Sequence, residues 1–305
     1  MSTIYPISPE RLQPAGMKEA MAALQRGFDH FDIDFYIVGA VARDIWMSQI
    51  YHESEQRITK DLDLAVFITD TAAYDALQTR LVEQEGFIRA QSSAFCLLYP
   101  SVSGAGNVVV DLMPFGAIAD EAGDVYFSGR GMERISTVGF TEVLAEAAIL
   151  STPTGEQWRV VTLPGILVLK LVAWQDRPER GKDAVDVWNL LAVYFNLVTD
   201  EIYATHLDLL TEEETPDTAN LMLLVGARVL GRQVQTMLAG KPVQHRLLTL
   251  LTDLTLLTDQ LALNEQSPLA RTMSRQGPEI ATCLATLTAL RTGIEDVWLN
   301  PEPVE

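Results

Sequence analysis

The chain has 305 residues, 48% of them hydrophobic, which is enough apolar material for two domains or one large one. Acids outnumber bases 41 to 22, for a formal net charge of -19. That balance repels polyanions and argues against tight, non-specific nucleic-acid binding unless a basic patch forms locally. The two cysteines, Cys96 and Cys283, and the four histidines, His30, His52, His206 and His245, are scattered without ligand spacing, so neither a disulfide framework nor a zinc site is indicated.

The opening stretch lacks the basic start and apolar run of a signal peptide, and charges interrupt every longer apolar run, which predicts a cytoplasmic protein with no membrane partner. The first residues and the closing NPEPVE read as tails. PERLQPAGMKEAMAALQRGF, residues 9–28, has helical spacing; DFYIVG (34–39) is a strand and AVARDIWMSQIY (40–51) a helix. TKDLDLAVFI (59–68) is the next strand. TAAYDALQTRLVEQEG (71–86) is a helix closing on a glycine. FIRAQSS (87–93), AFCLLYP (94–100) and NVVVDLMPF (107–115) then follow as strands separated by turns, which predicts a mixed sheet.

WRVVTLPG (158–165) reads as a last extended piece. Beyond it, LVLKLVAWQD, KDAVDVWNLLAVYF, TANLMLLVGARVLGRQVQTMLA, VQHRLLTLLTDLTLLTDQLAL and EIATCLATLTALRTGIEDVW all have apolar residues at helical spacing. The expectation is an α+β chain, with a mixed-sheet domain over 1–158 and a helical domain over 159–305.

Two acids in DLDL need a reason, because aspartate is a poor strand former and costly to bury. Strand residues i and i+2 share a face about 6 to 7 Å apart, so Asp61 and Asp63 face one way and Leu62, Leu64 and Val66 the other. NVVVDLMPF repeats the construction, with Asp111 opposed to Val108, Val110 and Leu112. If the strands are neighbours, three carboxylates converge, and cations must offset their repulsion. Mg²⁺ or Mn²⁺, which take hard oxygen ligands and bind phosphates, suit such a set. FDIDF has the same spacing at Asp32 and Asp34, yet it reads as a polar turn before a strand.

In YIVGAVARD a strand ends at Gly39 and a helix begins at once, leaving bare backbone, free N–H groups and Arg43 for a phosphate. Lys170 interrupts an apolar helix and must reach water or an anion. Asp183 and Asp186, three apart, share a face of the next helix, with Arg177, Arg180 and Lys182 nearby.

FYIVGAVARDIW, TKDLDLAVF, VVVDLMPFG, STVGFTEVL, VVTLPGILVLKLVAW and RGKDAVDVWNLL, in this order, resemble the polymerase-beta-like nucleotidyltransferase superfamily, in particular the AbiEii/AbiGii toxin-like group, over about residues 35–195. The resemblance implies that residues 1–158 form a nucleotidyltransferase domain. It also implies Mg²⁺ (or Mn²⁺), an NTP donor, and transfer of a nucleotide to a hydroxyl of RNA, especially tRNA, or of protein. A cognate antitoxin is an implied partner. Gly39 and Ala40 would then lie against the triphosphate with Arg43 near, and Asp61, Asp63 and Asp111 would hold metal, Asp111 also activating the acceptor. Lys170 matches the group's third motif, neutralising phosphate, and Asp183 and Asp186 its DxxD motif, orienting a base, a ribose or Lys170 itself.

Two departures stand out. Ala40 replaces the usual serine or second glycine, leaving only backbone donors there, and Lys182 replaces an arginine before the DxxD. They keep open a second reading, a catalytically silent nucleotide- or partner-binding protein of the same fold. Within the C-terminal half, GARVLGR (226–232) is the basic cluster to consider near the site.

Overall fold

In the computed structural model the described residues are 4–12, 15–53, 61–91, 93–101, 106–128, 132–210, 218–239 and 267–296. They fall into two compact units, Met1–Ile166 and Leu167–Glu305.

The first unit is built on an eight-stranded mixed sheet in the order β1-β9-β10-β2-β3-β6-β5-β4. Its strands are β1 (Ile4–Pro6), β2 (Phe35–Val38), β3 (Asp61–Phe67), β4 (Ile88–Arg89), β5 (Cys96–Pro100), β6 (Asn107–Phe115), β9 (Ala148–Ser151) and β10 (Gln157–Val160). A separate hairpin pairs β7 (Asp124–Ser128) with β8 (Met132–Ser136). β2 runs antiparallel to β3, β3 parallel to β6, and β6 antiparallel to β5.

The alternation in these strands becomes a two-sided sheet. Leu62, Leu64, Val66, Val108, Val110 and Leu112 are buried, whereas Asp61 is exposed and Asp63 and Asp111 are half-buried. Helix α3 (Thr71–Gln84), capped by Asp70 accepting from Ala73 N at 2.9 Å, is tied to the sheet by the Tyr74 hydroxyl, which donates to Leu112 O at 2.7 Å. Helix α1 (Met17–Phe31) packs beside α3 where a Cβ on Gly27 would come within 2.6 Å of Leu81.

Several expectations shift at their edges. The helix expected from residue 9 begins at Met17, because Pro9–Arg11 form a 3-10 turn and Gly16 takes φ +95°. Past Gly39–Asp44 (α2), the expected helix continues as a π-turn, Ile45–Ile50. FIRAQSS narrows to Ile88–Arg89. The LPG of the expected extended piece instead opens helix α5 (Leu163–Asp176), with Pro164 in the first turn, where its missing N–H costs nothing. Ile4, expected in a tail, lies in β1, paired in parallel with β9. The hairpin, helix α4 (Phe140–Ala145) and β9 had no counterpart among the predicted elements.

The second unit is helical, with α6 (Lys182–Leu197), α7 (Thr199–Thr205), α8 (Thr218–Ala239), α9 (Pro268–Ser274) and α10 (Ile280–Glu295). The division between units falls inside α5, whereas the expected boundary lay between residues 158 and 159. Helix α8 lies backbone-close to α10: a Cβ on Gly231 would be 2.9 Å from Gly293 Cα, and one on Gly293 would be 3.0 Å from Arg232 N. The predicted helix at VQHRLLTLLTDLTLLTDQLAL and the NPEPVE tail lie outside the described residues. Among the described residues, no helix is long and apolar enough to cross a membrane.

Candidate active site

The register of β3 against β6 brings the predicted acids to one place. Asp63 pairs directly with Asp111, and Asp61, two residues earlier, pairs with Val109. Partners across a parallel ladder share a face at about 4.8 Å between strands, so all three aspartates line the same side of two adjacent strands. The row continues onto β5, where Cys96 pairs with Asp111. Asp63, Asp111 and Cys96 thus stand side by side across three strands.

Gly39 abuts this row. Val38, the last residue of β2, pairs with Asp63, and Gly39 turns into α2 at φ +68°. A Cβ there would fall 2.7 Å from Asp63 Cγ and 2.9 Å from Asp63 Cβ, so the carboxylate occupies the space that only glycine leaves. The sequence assigned Gly39 to phosphate; the structure adds that it makes room for Asp63.

Hard carboxylate oxygens on one half-open sheet face are the donor type that Mg²⁺ and Mn²⁺ take, and in that respect the residues fit a divalent cation. The backbones are in register without the side chains being gathered into a closed cage: among the described residues, no three His, Cys, Asp or Glu groups stand in a ready metal-binding arrangement.

Cys96 is a neighbour of this acid face that sequence reasoning passed over. Its burial first, and then the charge of Asp111, a hydrogen bond to that carboxylate and the charge of Asp61, push the thiol up to about 12. The pairing of Pro100 with Asn107 carries Cys96 opposite Asp111, a register that strand alternation alone leaves open.

The other predicted residues have local partners. Arg43, buried, bonds Asp44 Oδ1 from Nε at 3.0 Å and from Nη2 at 2.7 Å, so its charge has a carboxylate beside it. Ala40 follows Gly39 in α2 and is half-buried. Asp34 of FDIDF is an exposed partner of Arg159 at 2.8 Å, and Asp32 caps α1 at φ 54°, so that pair is the polar turn expected of it.

In the helical unit, Lys170 of α5 meets the DxxD of α6. Its Nζ lies 2.9 Å from Asp183 Oδ1 and 2.7 Å from Asp186 Oδ2, with both acids buried. Burial alone would depress the amine, but Asp186 and Asp183 outweigh it and hold the amine above its ordinary value. Of the three tasks open to these acids, orienting Lys170 is the one their contacts display.

The basic residues of GARVLGR are likewise engaged. Arg232, buried, reaches Asp208 with two nitrogens at 3.0 and 2.6 Å and Asp296 at 2.7 Å, while Arg228 reaches Asp296 at 3.0 and 2.9 Å. Arg177 pairs with Asp176 at 3.3 Å. A basic strip made from these residues is largely offset by acids.

Comparison with known proteins identifies the class: this is a nucleotidyltransferase-family protein. Residues 22–240 match the family described as "Nucleotidyl transferase AbiEii toxin, Type IV TA system". That is more than two thirds of the chain, which therefore belongs to the AbiEii family. Among curated proteins, none matches. Two solved structures are distantly similar. The antibiotic-resistance factor ANT(2'')-Ia is 13% identical, with 54% of this chain and 76% of that one covered, at a TM-score of 0.30. The CD-NTase CdnG of Bradyrhizobium diazoefficiens, solved with GTP, is 12% identical, with 93% and 88% covered, also at 0.30.

Proposed function

We propose that the chain moves a nucleotide from an NTP to an acceptor hydroxyl in the cytoplasm, with Asp61, Asp63 and Asp111 holding Mg²⁺ or Mn²⁺. The observation that carries this is the pairing of Asp63 with Asp111 on adjacent parallel strands, with Asp61 on the same face. Bound there, divalent cations would supply charge neutralisation at the reacting phosphate.

The residues divide the remaining work. Gly39 lets the carboxylate of Asp63 sit against the backbone and offers the start of α2 to the triphosphate. Asp111 takes the proton of the acceptor hydroxyl as its oxygen attacks the α-phosphorus, and the bond to pyrophosphate breaks. Arg43 and Ala40 border the phosphate turn, Ala40 through its backbone. In the helical unit, Asp183 and Asp186 keep the Lys170 amine charged and in one orientation.

The net charge of -19 and the acids set beside Arg228 and Arg232 favour a hydroxyl on a protein over one on RNA or tRNA. Membership of a toxin-antitoxin family makes a cognate antitoxin the expected protein partner. Incubation with each labelled NTP, Mg²⁺ and cell extract tests the reading. We expect label on a protein band with wild type and none with Asp63→Ala. Label on RNA would overturn the acceptor class. Nucleotide binding without pyrophosphate release over all acceptors would replace the enzyme with a silent nucleotide-binding protein.

A further inference from the structure

We propose that Arg180, Lys182 and Arg275 form a docking surface on the helical unit for an acidic stretch of polypeptide, contributed by the protein that accepts the nucleotide. The identity of that polypeptide rests on the protein-acceptor reading above, whereas the surface itself does not.

The three cations are brought together by one contact between helices. Gly181, the N-cap of α6, takes φ +60°, and a Cβ there would stand 3.7 Å from Thr272 Cγ2 on α9. Arg180 and Lys182 flank that glycine directly. Arg275 follows Thr272 by three residues, on the same side of a helical turn, and Arg271 precedes Thr272. All four residues are exposed.

Other bases of the unit have acids beside them. Arg177 pairs with Asp176, Arg228 and Arg232 share Asp296, and Lys170 takes up Asp183 and Asp186. Among the described residues, no ion pair joins Arg180, Lys182 or Arg275 to an acid, and Glu179 is the exposed acid next to them in sequence. In a chain with 41 acids and 22 bases, such a group of cations is the exception, and it attracts an anion from outside the unit.

Two observations favour a peptide over nucleic acid as that anion. A nucleic-acid strand carries charge along its whole length and would run from this patch onto a chain of net charge -19. Sites for single strands also offer aromatic faces to the bases. The exposed aromatic among the described residues of the helical unit is Tyr203 of α7, which follows the opposite end of α6. A short run of Asp or Glu meets neither difficulty, and guanidinium forks take its carboxylates two bonds at a time.

Fluorescence anisotropy of labelled hexaglutamate, compared with hexaglutamine and hexauridylate, measures docking without NTP or metal. We expect hexaglutamate to bind most tightly of the three, and added salt to weaken it. Arg180→Gln, Lys182→Gln and Arg275→Gln should each weaken it about two- to fivefold, the range of an exposed ion pair, and the triple variant about tenfold or more. A charge-matched control, K18Q with R159Q and R291Q, removes three cations already paired with Glu10, Asp34 and Glu295, and should bind within about twofold of wild type. No binding of hexaglutamate by wild type, an equal loss in the control, or tighter binding of hexauridylate overturns the proposal.

The labelling reaction separates the two levels. Label on the protein band should fall in the triple variant; undiminished label overturns the assignment of the occupant. If no protein is labelled by any NTP while hexaglutamate binds as expected, the transferase reading fails and the acidic-peptide surface stands. If protein is labelled but hexaglutamate does not bind, only this inference falls.

Discussion

The two units gather their acids by opposite means. In the helical unit, Asp183 and Asp186 share a face because they are three residues apart on α6, and they close on Lys170 from α5. In the sheet unit, Asp63 and Asp111 are far apart in sequence and meet only through the register of β3 on β6, beside Gly39 and Cys96. One cluster is local and organised around a cation of its own. The other is long-range and presents carboxylates on a half-open face. The first cluster has its charge balanced within the unit, whereas the second keeps its carboxylates on an accessible face, which is what the proposed cation binding requires.

Single substitutions should separate the two kinds of cluster. Asp63→Asn is expected to lower nucleotide transfer by about 10²- to 10³-fold, the range for losing a group that stabilises charge in the transition state. Its melting temperature should barely change, as followed by circular dichroism. Lys170→Met should show the reverse weighting in a denaturant titration: about 3 kcal/mol of lost stability, because two buried carboxylates are left facing each other. Should D63N prove the more destabilising of the two, the contrast between the units breaks.

Glycines sharpen the same contrast. Gly293→Ala places a methyl group against the backbone of α8, and overpacking of that kind costs about 1–3 kcal/mol, readable as a lower denaturation midpoint. Gly39→Ala adds about 1–2 kcal/mol of left-handed backbone strain and displaces the Asp63 carboxylate. Mn²⁺ affinity should therefore fall in G39A and remain unchanged in G293A.

The smallest expected effect is on pH dependence. Hydrogen bonding to Arg232 lowers Asp208, and Arg228 and Arg232 lower Asp296 against an opposing effect of burial. Both acids start from an ordinary 3.8, so their contribution is present above that pH and is lost as pH falls through the depressed folded values. Acid melts of wild type should lose stability in that window, and Asp208→Asn should flatten the loss.

The sequence made some parts legible because they depend on local periodicity. NVVVDLMPF and TANLMLLVGARVLGRQVQTMLA occupy β6 and α8 as read, and the two faces of β3 follow from alternation alone. Short elements that depend on distant partners escaped. Ile4–Pro6 is a strand only because β9 lies beside it, and β9 itself is four residues long. LPG was misread because Pro164 fits the first turn of a helix as readily as an extended piece. The three aspartates could be named from strand patterning, but their pairing, the Asp63 carboxylate against Gly39 and the approach of Cys96 depend on register, which periodicity leaves open.

The proposed function requires Asp61, Asp63 and Asp111 to form one divalent-cation site. Calorimetric titration of Mn²⁺ in the presence of a non-hydrolysable NTP analogue, on wild type and on the three single Asp→Asn variants, tests it most directly. Saturable uptake by wild type and a marked loss of affinity in every variant are expected. Uptake indifferent to all three substitutions, or no uptake by wild type, would contradict it.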